Sequence, residues 1–351
     1  MGKRNLSIIL VLALMLSVII APTAQAADDK SFILEGNFVF DDGHVLSYEK
    51  IATDLEIWHS LSDLEKQRIW NEMEAAVINQ YPEYVSDREA NLQERRKEKA
   101  LFKEELISKN ELKIAPYNSN LKMEELTIKM PEKTSASAIP SFSQTVYGGP
   151  YGITTTSDIP AQTMAETGST PTNGWADSKA YYINPYGLGS GYAVSACGIL
   201  LHVQGSGSDL AFINMQGKYN GGLQVADYIS LPIPPYNNTH TYASVDIDVY
   251  EINPSTLQIL SLVTTKNIEE ANTTIGLMQT DVRGDISDTV AYYIQAGKSY
   301  YIALTVFTSA MVDSGLTSIG NYSRSDMYDD TAGGGPGGEG GDLYSTTITI
   351  Y

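Results

Sequence analysis

Three acids lie on one stretch of strand-forming residues, Asp246, Asp248 and Glu251 in V-D-I-D-V-Y-E. Neighbouring carboxyls suit general acid–base and nucleophilic chemistry on sugars, where one is ionised and the other gives up a proton. Val245, Ile247 and Val249 alternate with them, so the apolar side of this strand faces a core and both aspartates project from the other side. Positions four apart on a strand have Cα atoms about 13 Å apart, whereas the carboxyls of retaining glycoside hydrolysis come within about 5.5 Å. Glu251 points to the core side unless a bulge turns it over. The competing reading is a wet sheet face whose acids keep it soluble.

The acid spacing resembles the catalytic strand of the jelly-roll β-glucanase family, Glu-x-Asp-x-Glu, sometimes with one residue inserted before the last Glu. That resemblance implies Asp246 as nucleophile, Asp248 as auxiliary acid and Glu251 as general acid/base. It covers seven residues and departs at the first position, where Asp stands for Glu. Other nucleophiles find less support. Cys197 in V-S-A-C-G-I-L-L-H-V shares a strand face with Ile199, Leu201 and Val203, and His202 falls on the opposite face. The two cannot meet as a dyad, and Cys197 reads as a buried thiol. No serine sits in a G-x-S-x-G elbow.

Binding is the other chemistry on offer. Tyrosine doublets occur at Tyr181-Tyr182, Tyr292-Tyr293 and Tyr300-Tyr301, and in a strand one ring of each faces the core and the next faces out. Outward rings beside Asn and Asp hold sugars by stacking and hydrogen bonds, which makes Tyr250, Tyr293 and Tyr301 the ligand-binding candidates. Strand propensity alone also accounts for the tyrosines. Two acidic loops, Asp281, Asp285 and Asp288, and Asp326, Asp329 and Asp330, are the candidate calcium ligands, although neither has the order of a dedicated calcium loop. No other cofactor is indicated. Asn237, Asn272 and Asn321 stand in N-x-S/T sequons expected in loops. His44 and His59 lack metal-ligand spacing and read as surface residues.

The elements that must position these residues are mostly strands. Residues 286–307 read as a β-hairpin, with Val290, Tyr292 and Ile294 on one arm, Tyr300, Ile302, Leu304 and Val306 on the other, and A-G-K-S between. Further strands are expected at Val194–Gln204, Leu210–Gln216, Ser244–Ile252, Leu257–Thr264 and Leu343–Tyr351. Two irregular stretches, 147–180 and 317–342, interrupt them, the second holding a glycine run expected to be a mobile loop. The part before residue 130 reads as helical. Ile51, Leu55 and Trp58 mark a first helix, Ser62 and Glu65 cap a second, which ends at Tyr81-Pro82, and a third begins near Ser86. In this third helix R-E-A-N-L-Q-E-R-R-K-E-K has no apolar stripe and reads as a solvated face held by pairs such as Glu105 with Lys109.

Charge sets the limits of domain and partner. From Ala27 to Met130 there are 14 Lys and Arg against 22 Asp and Glu, and from Pro131 onward 7 against 20. That shift marks a domain boundary. Lys3-Arg4, the apolar run to Ala21 and Ala24-Gln25-Ala26 form a signal peptide cleaved after Ala26. Its apolar run is short for a membrane span, and the single cysteine leaves the fold resting on its core. A net charge of −19 argues against nucleic acid and anionic membranes. The fold class is therefore segregated α+β: signal peptide 1–26, a small helical domain 27–130, a linker 131–145, and an antiparallel β-sandwich or jelly roll 146–351. The expected role is an exported, extracellular or envelope-associated, non-catalytic module that binds a glycan or a surface protein. The alternatives are a β-glucan hydrolase acting through Asp246, Asp248 and Glu251, and a purely structural envelope protein.

Overall fold

The computed structural model describes residues 36–351, apart from 54–56, 58–59, 81, 83, 117–124, 131–141, 160–161, 171, 185–186, 227–239, 274–277, 315–320 and 328–339. The signal peptide, Asn237, His59 and the run Gly333–Glu339 lie outside the described residues.

Strands β1 (Asn37–Val39) and β2 (Val45–Ser47) pair with each other, and α1 (Tyr48–Thr53) and α2 (Asp63–Gln80) follow. Phe38, Phe40, Tyr48, Ile51 and Ile69 form a small core there. The capping box at the start of α2 is made: Ser62 N donates to Glu65 at 2.9 Å and Glu65 N to the Ser62 hydroxyl at 3.3 Å. Helix α3 (Tyr84–Ser108) leads through the short β3 (Ala115–Pro116) and β4 (Leu126–Lys129) into the long strands. These are β5 (Phe142–Tyr147), β6 (Tyr151–Ile159), β7 (Gln162–Thr170), β8 (Asn173–Asn184), β9 (Gly187–Gln204), β10 (Ser208–Ala226), β11 (His240–Asn253) and β12 (Gln258–Thr273). After them come β13 (Met278–Gln295), β14 (Ser299–Ser314), β15 (Asn321–Met327) and β16 (Gly340–Ile350).

The long strands form two sheets of seven. The first runs β12-β11-β14-β9-β6-β3, with β4 added parallel to β9. In the second, β13 pairs with β10 along its length, and the far side of β10 is shared by β16 and β15. Strand β16 is itself flanked by β5 and the start of β8, while β8 continues along β15 and takes β7 on its outer side. Apolar alternation turns one face of each sheet inward. Cys197, Ile199, Val245, Ile247, Ile302 and Leu304 of the first sheet share a core with Ile213, Met215, Val290, Ile294, Ile348 and Ile350 of the second.

The segregated α+β reading is therefore corrected. Strands β1 to β4 already lie among the helices, β4 belongs to the first sheet, and α3 packs directly on that sheet. Leu106 of α3 is buried with Tyr151, Leu200, Tyr250 and Tyr301, so no separate helical domain precedes a sandwich. The hairpin expected at 286–307 is also corrected. Strands β13 and β14 belong to different sheets, so the turn at Ala296–Lys298 is an arch over the edge of the core. Its inward residues face one another across the two sheets, which produces the same alternation as a hairpin. The arch is braced by a second one between β9 and β10: Gly297 N donates to Val203 O at 2.8 Å, and Ala296 N to Gly207 O at 2.9 Å.

The irregular stretch at 147–180 holds β6, β7 and the start of β8, and β15 falls within 317–342. Strands β6 and β7 are rich in Thr, Ser and Gly, which carry no apolar period.

Candidate functional site

Asp246 and Asp248 leave β11 on the side away from the core, as their alternation requires, but that side is not wet. Helix α3 covers it, and both aspartates are fully buried. The helix lies along β11 in the same direction. Lys99 and Lys103 are one turn apart, a rise of about 6 Å, and Asp246 and Asp248 are two strand residues apart, about 6.8 Å. The two cations therefore come into register with the two anions. Lys99 Nζ donates to both Asp246 oxygens at 2.9 Å. Lys103 Nζ donates to Asp248 Oδ2 at 2.6 Å and to Asp246 Oδ2 at 3.3 Å. Arg96 adds an ion pair to Glu270 of β12.

Further donors reach both carboxylates. Asp246 accepts from Asn267 Nδ2 at 2.9 Å and from Ser244 Oγ at 3.1 Å. Asp248 accepts from Thr265 Oγ1 at 2.6 Å and from the Tyr250 hydroxyl at 2.8 Å. Burial alone would push the Asp246 carboxyl up, but Lys103, Lys99 and the Asn267 amide hold it well below the usual carboxylate range. Burial pulls the Lys103 ammonium down, and Asp248 and Asp246 more than reverse this, leaving it above the usual lysine range. Desolvation, followed by the charge of Asp248, raises the Tyr250 phenol.

Glu251 stands apart from this group. Tyr250 and Ile252 on either side of it pack in the cluster under α3, so Glu251 faces the other way, and Lys298 Nζ donates to it at 2.7 Å. The register shift beside it does not bring it round to the aspartates. A nucleophile and an acid for glycoside cleavage must both reach substrate. Here two of the three residues lie beneath a helix and the third is across the sheet.

The tyrosine candidates divide in the same way. Tyr250 and Tyr301 are buried, their rings stacked at 6.2 Å, and Tyr301 donates to Tyr151 O at 3.0 Å. Tyr293 is 62% exposed, on the outer face of the second sheet. Of the acids proposed for calcium, those that are described stand in strands and not in loops. Asp281, Asp285 and Asp288 belong to β13, where Asp288 pairs with Lys266. Asp326 belongs to β15, paired with Arg324 and with Lys179, and Asp329 and Asp330 lie outside the described residues. Among the described residues no group of three or more His, Cys, Asp or Glu could hold a metal ion. Asn272 and Asn321 likewise stand in strands rather than loops, and Asn272 is buried. Cys197 sits in the core, where burial pushes its thiol up. No helix among the described residues is long and apolar enough to cross a membrane.

The outer face of the second sheet is open, and its residues follow from the register. Across β5, β16, β10 and β13 run the rows Ser143, Thr349, Phe212, Ala291; Thr145, Thr347, Asn214, Thr289; and Tyr147, Ser345, Gln216, Ser287. No charged side chain belongs to these rows, which span about 14 Å across four strands. Thr145 and Thr347 share a hydrogen bond at 2.8 Å, and Asn214 Nδ2 donates to Thr289 Oγ1 at 3.0 Å. At one end stand Tyr293, opposite Leu210, and Tyr351, whose ring is edge-on to Phe212 at 5.5 Å. At the other end are Tyr147 and Tyr344, the latter pushed out by a bulge. Apart from Tyr293, sequence reasoning missed this face. Its signal was the alternation of small polar residues in T-T-I-T-I and S-Q-T-V-Y.

No family model matches the chain, and no curated protein matches it. Among solved structures, a family 11 carbohydrate-binding module from Clostridium thermocellum, in complex with a β-1,3-1,4-mixed-linked tetrasaccharide, overlaps 59% of this chain and 96% of its own. The two share 9% identity at a TM-score of 0.17. The infectious bursal disease virus Gx strain structure overlaps 67% of this chain and 49% of its own, at 10% identity and a TM-score of 0.16. A family 22 carbohydrate-binding module of Clostridium thermocellum Xyn10B overlaps 47% of this chain and 87% of its own, at 8% identity and 0.12. Overlaps this poor establish no fold relationship.

Proposed function

We propose that this protein is an exported, non-catalytic module that holds an uncharged polysaccharide on the outer face of its second sheet. The observation that carries this is the set of rows from Ser143 to Ala291, an uncharged face rich in hydroxyls and amides with tyrosine rings at both ends. Hydroxyls and amides match the donors and acceptors of a sugar, and rings at the ends stack on its apolar faces. The absence of charge from these rows selects against acidic glycans, which the net charge of −19 also repels. Export rests on the leader in the sequence.

The test is retention of the purified protein on insoluble or gel-embedded cellulose, mixed-linkage β-glucan, xylan and mannan. At least one should retain it. Replacing Tyr293 by Ala should weaken that binding by about tenfold, the equivalent of about 1.4 kcal/mol of ring contact. Failure of all four polymers to retain the protein, or equal retention of a Tyr147→Ala/Tyr293→Ala variant, would remove the proposal.

A further inference from the structure

Lys103 is a primary amine sealed in the interior, 3% exposed, between two carboxyls that are themselves fully buried. Its Nζ is 2.6 Å from Asp248 Oδ2, so the Asp248 Cγ is its near neighbour, open to attack once the nitrogen swings out of the carboxylate plane where a hydrogen-bond donor sits. Asp246 Oδ2 touches the same Nζ at 3.3 Å. The Thr265 hydroxyl donates to the other Asp248 oxygen at 2.6 Å, where it can support negative charge developing on that oxygen. Burying an ammonium and a carboxylate is costly even when they are paired, and joining them removes both charges at once.

We propose that Lys103 and Asp248 condense to an amide, a covalent staple between helix α3 and strand β11. A proton passes from the ammonium directly to Asp248 Oδ2, which Nζ already contacts at 2.6 Å, leaving a neutral amine and a neutral acid. The amine lone pair attacks Cγ, forming the C–N bond, while Thr265 holds the oxygen that gains charge. Asp246 then moves a second proton from the nitrogen to the departing oxygen, the C–O bond breaks, and one water leaves. Ammonium and carboxylate become amide and water, Asp246 is restored, and no oxidant or cofactor takes part. Lys99, bonded to Asp246 at 2.9 Å, remains as a separate ion pair.

The test is mass spectrometry of the full chain, denatured and digested. The peptide holding Lys103 should appear joined to the peptide holding Asp248, at the sum of their masses less one water. The joined species should be absent from Lys103→Arg, and from Asp246→Asn if that carboxyl relays the second proton. Two separate peptides of full mass in the parent protein would overturn the staple. A join mapped to Lys99 and Asp246 would overturn its assignment to Lys103 and Asp248, and a join persisting in Asp246→Asn would overturn the relay.

Discussion

Replacing Asp246 by Asn distinguishes a buried charge lock from a set of surface acids. The carboxylate takes donors on both oxygens: Lys99 and Asn267 at Oδ1, and Lys99, Lys103 and Ser244 at Oδ2. An amide has one acceptor oxygen, so either orientation points its N–H groups at two or more of those donors. The substitution also leaves buried Lys103 and partly buried Lys99 facing one buried aspartate. Removing one member of a buried pair costs about 3–5 kcal/mol, because the remaining charge stays in the interior without its counterion. A surface acid would change stability by no more than about 0.5 kcal/mol. Urea unfolding at neutral pH should show the midpoint falling at unchanged slope, so that the loss is one of stability and not of compactness. The direction holds whether or not Lys103 has condensed with Asp248, since Lys99 loses its carboxylate in either case. Replacing all four residues by Met and Leu should recover most of the loss, as apolar groups of similar volume pack there without a desolvation cost. A change within about 0.5 kcal/mol for Asp246→Asn would refute the lock.

The pH dependence follows from the same group. The Asp246 carboxyl is depressed, so its contribution is present above the ordinary value of about 3.9 and is lost as pH falls through the lower folded value. In chains where Lys103 is still a free ammonium it is raised, so its contribution holds below about 10.4 and is lost only as pH rises through the higher folded value; once condensed to an amide it does not titrate. The stability gap between the parent and Asp246→Asn should therefore be flat from pH 5 to about 9, and a gap that closes within that window would contradict the assignment. Cys197 should resist thiol reagents until the protein unfolds, because burial both shields the thiol and raises it, and rapid labelling of native protein would refute its place in the core. Gly198→Ala should destabilise by about 2 kcal/mol or more, since an added Cβ would lie 2.1 Å from the Ile302 carbonyl oxygen of β14, and a neutral result would mean those strands can part. Secreted material should begin at Ala27, and an intact mass that retains the leader would rule out cleavage there.

Strands built from Val, Ile and Tyr were legible because their side chains alternate between a dry face and another. Val245, Ile247 and Val249 announce β11, and the core confirms them. Which sheet a strand joins was not legible, because Val290 and Ile302 alternate identically whether their strands lie side by side or face each other. The cover on the first sheet was invisible for a related reason. Apolar period detects helices that turn a stripe of Leu and Ile inward, whereas the part of α3 over Asp246 and Asp248 turns Lys99 and Lys103 to the sheet, and only their match to those acids across 143 to 147 residues reveals it. Alternation also says that Tyr301 and Tyr293 both point outward. It cannot say that Leu106 and Tyr151 close over the first while the second stays open. The neutral face was written in Thr and Ser, residue types equally common in turns.

Strand β16 comes last among the described elements and yet lies inside its sheet, with β10 on one side and β5 and β8 on the other. Until residues 340–350 have emerged, β10 and β5 each present an unpaired edge, and the pairing of Phe142 with Ile350 waits on every residue between them. Such non-local closure is slow compared with joining adjacent hairpins. A growing chain of this topology therefore cannot lock into its final shape until the residues of β16 have emerged. The same delay exposes hydrogen-bonding edges to other chains, so crowding during synthesis would be met by aggregation before it was met by misfolding of the finished sandwich.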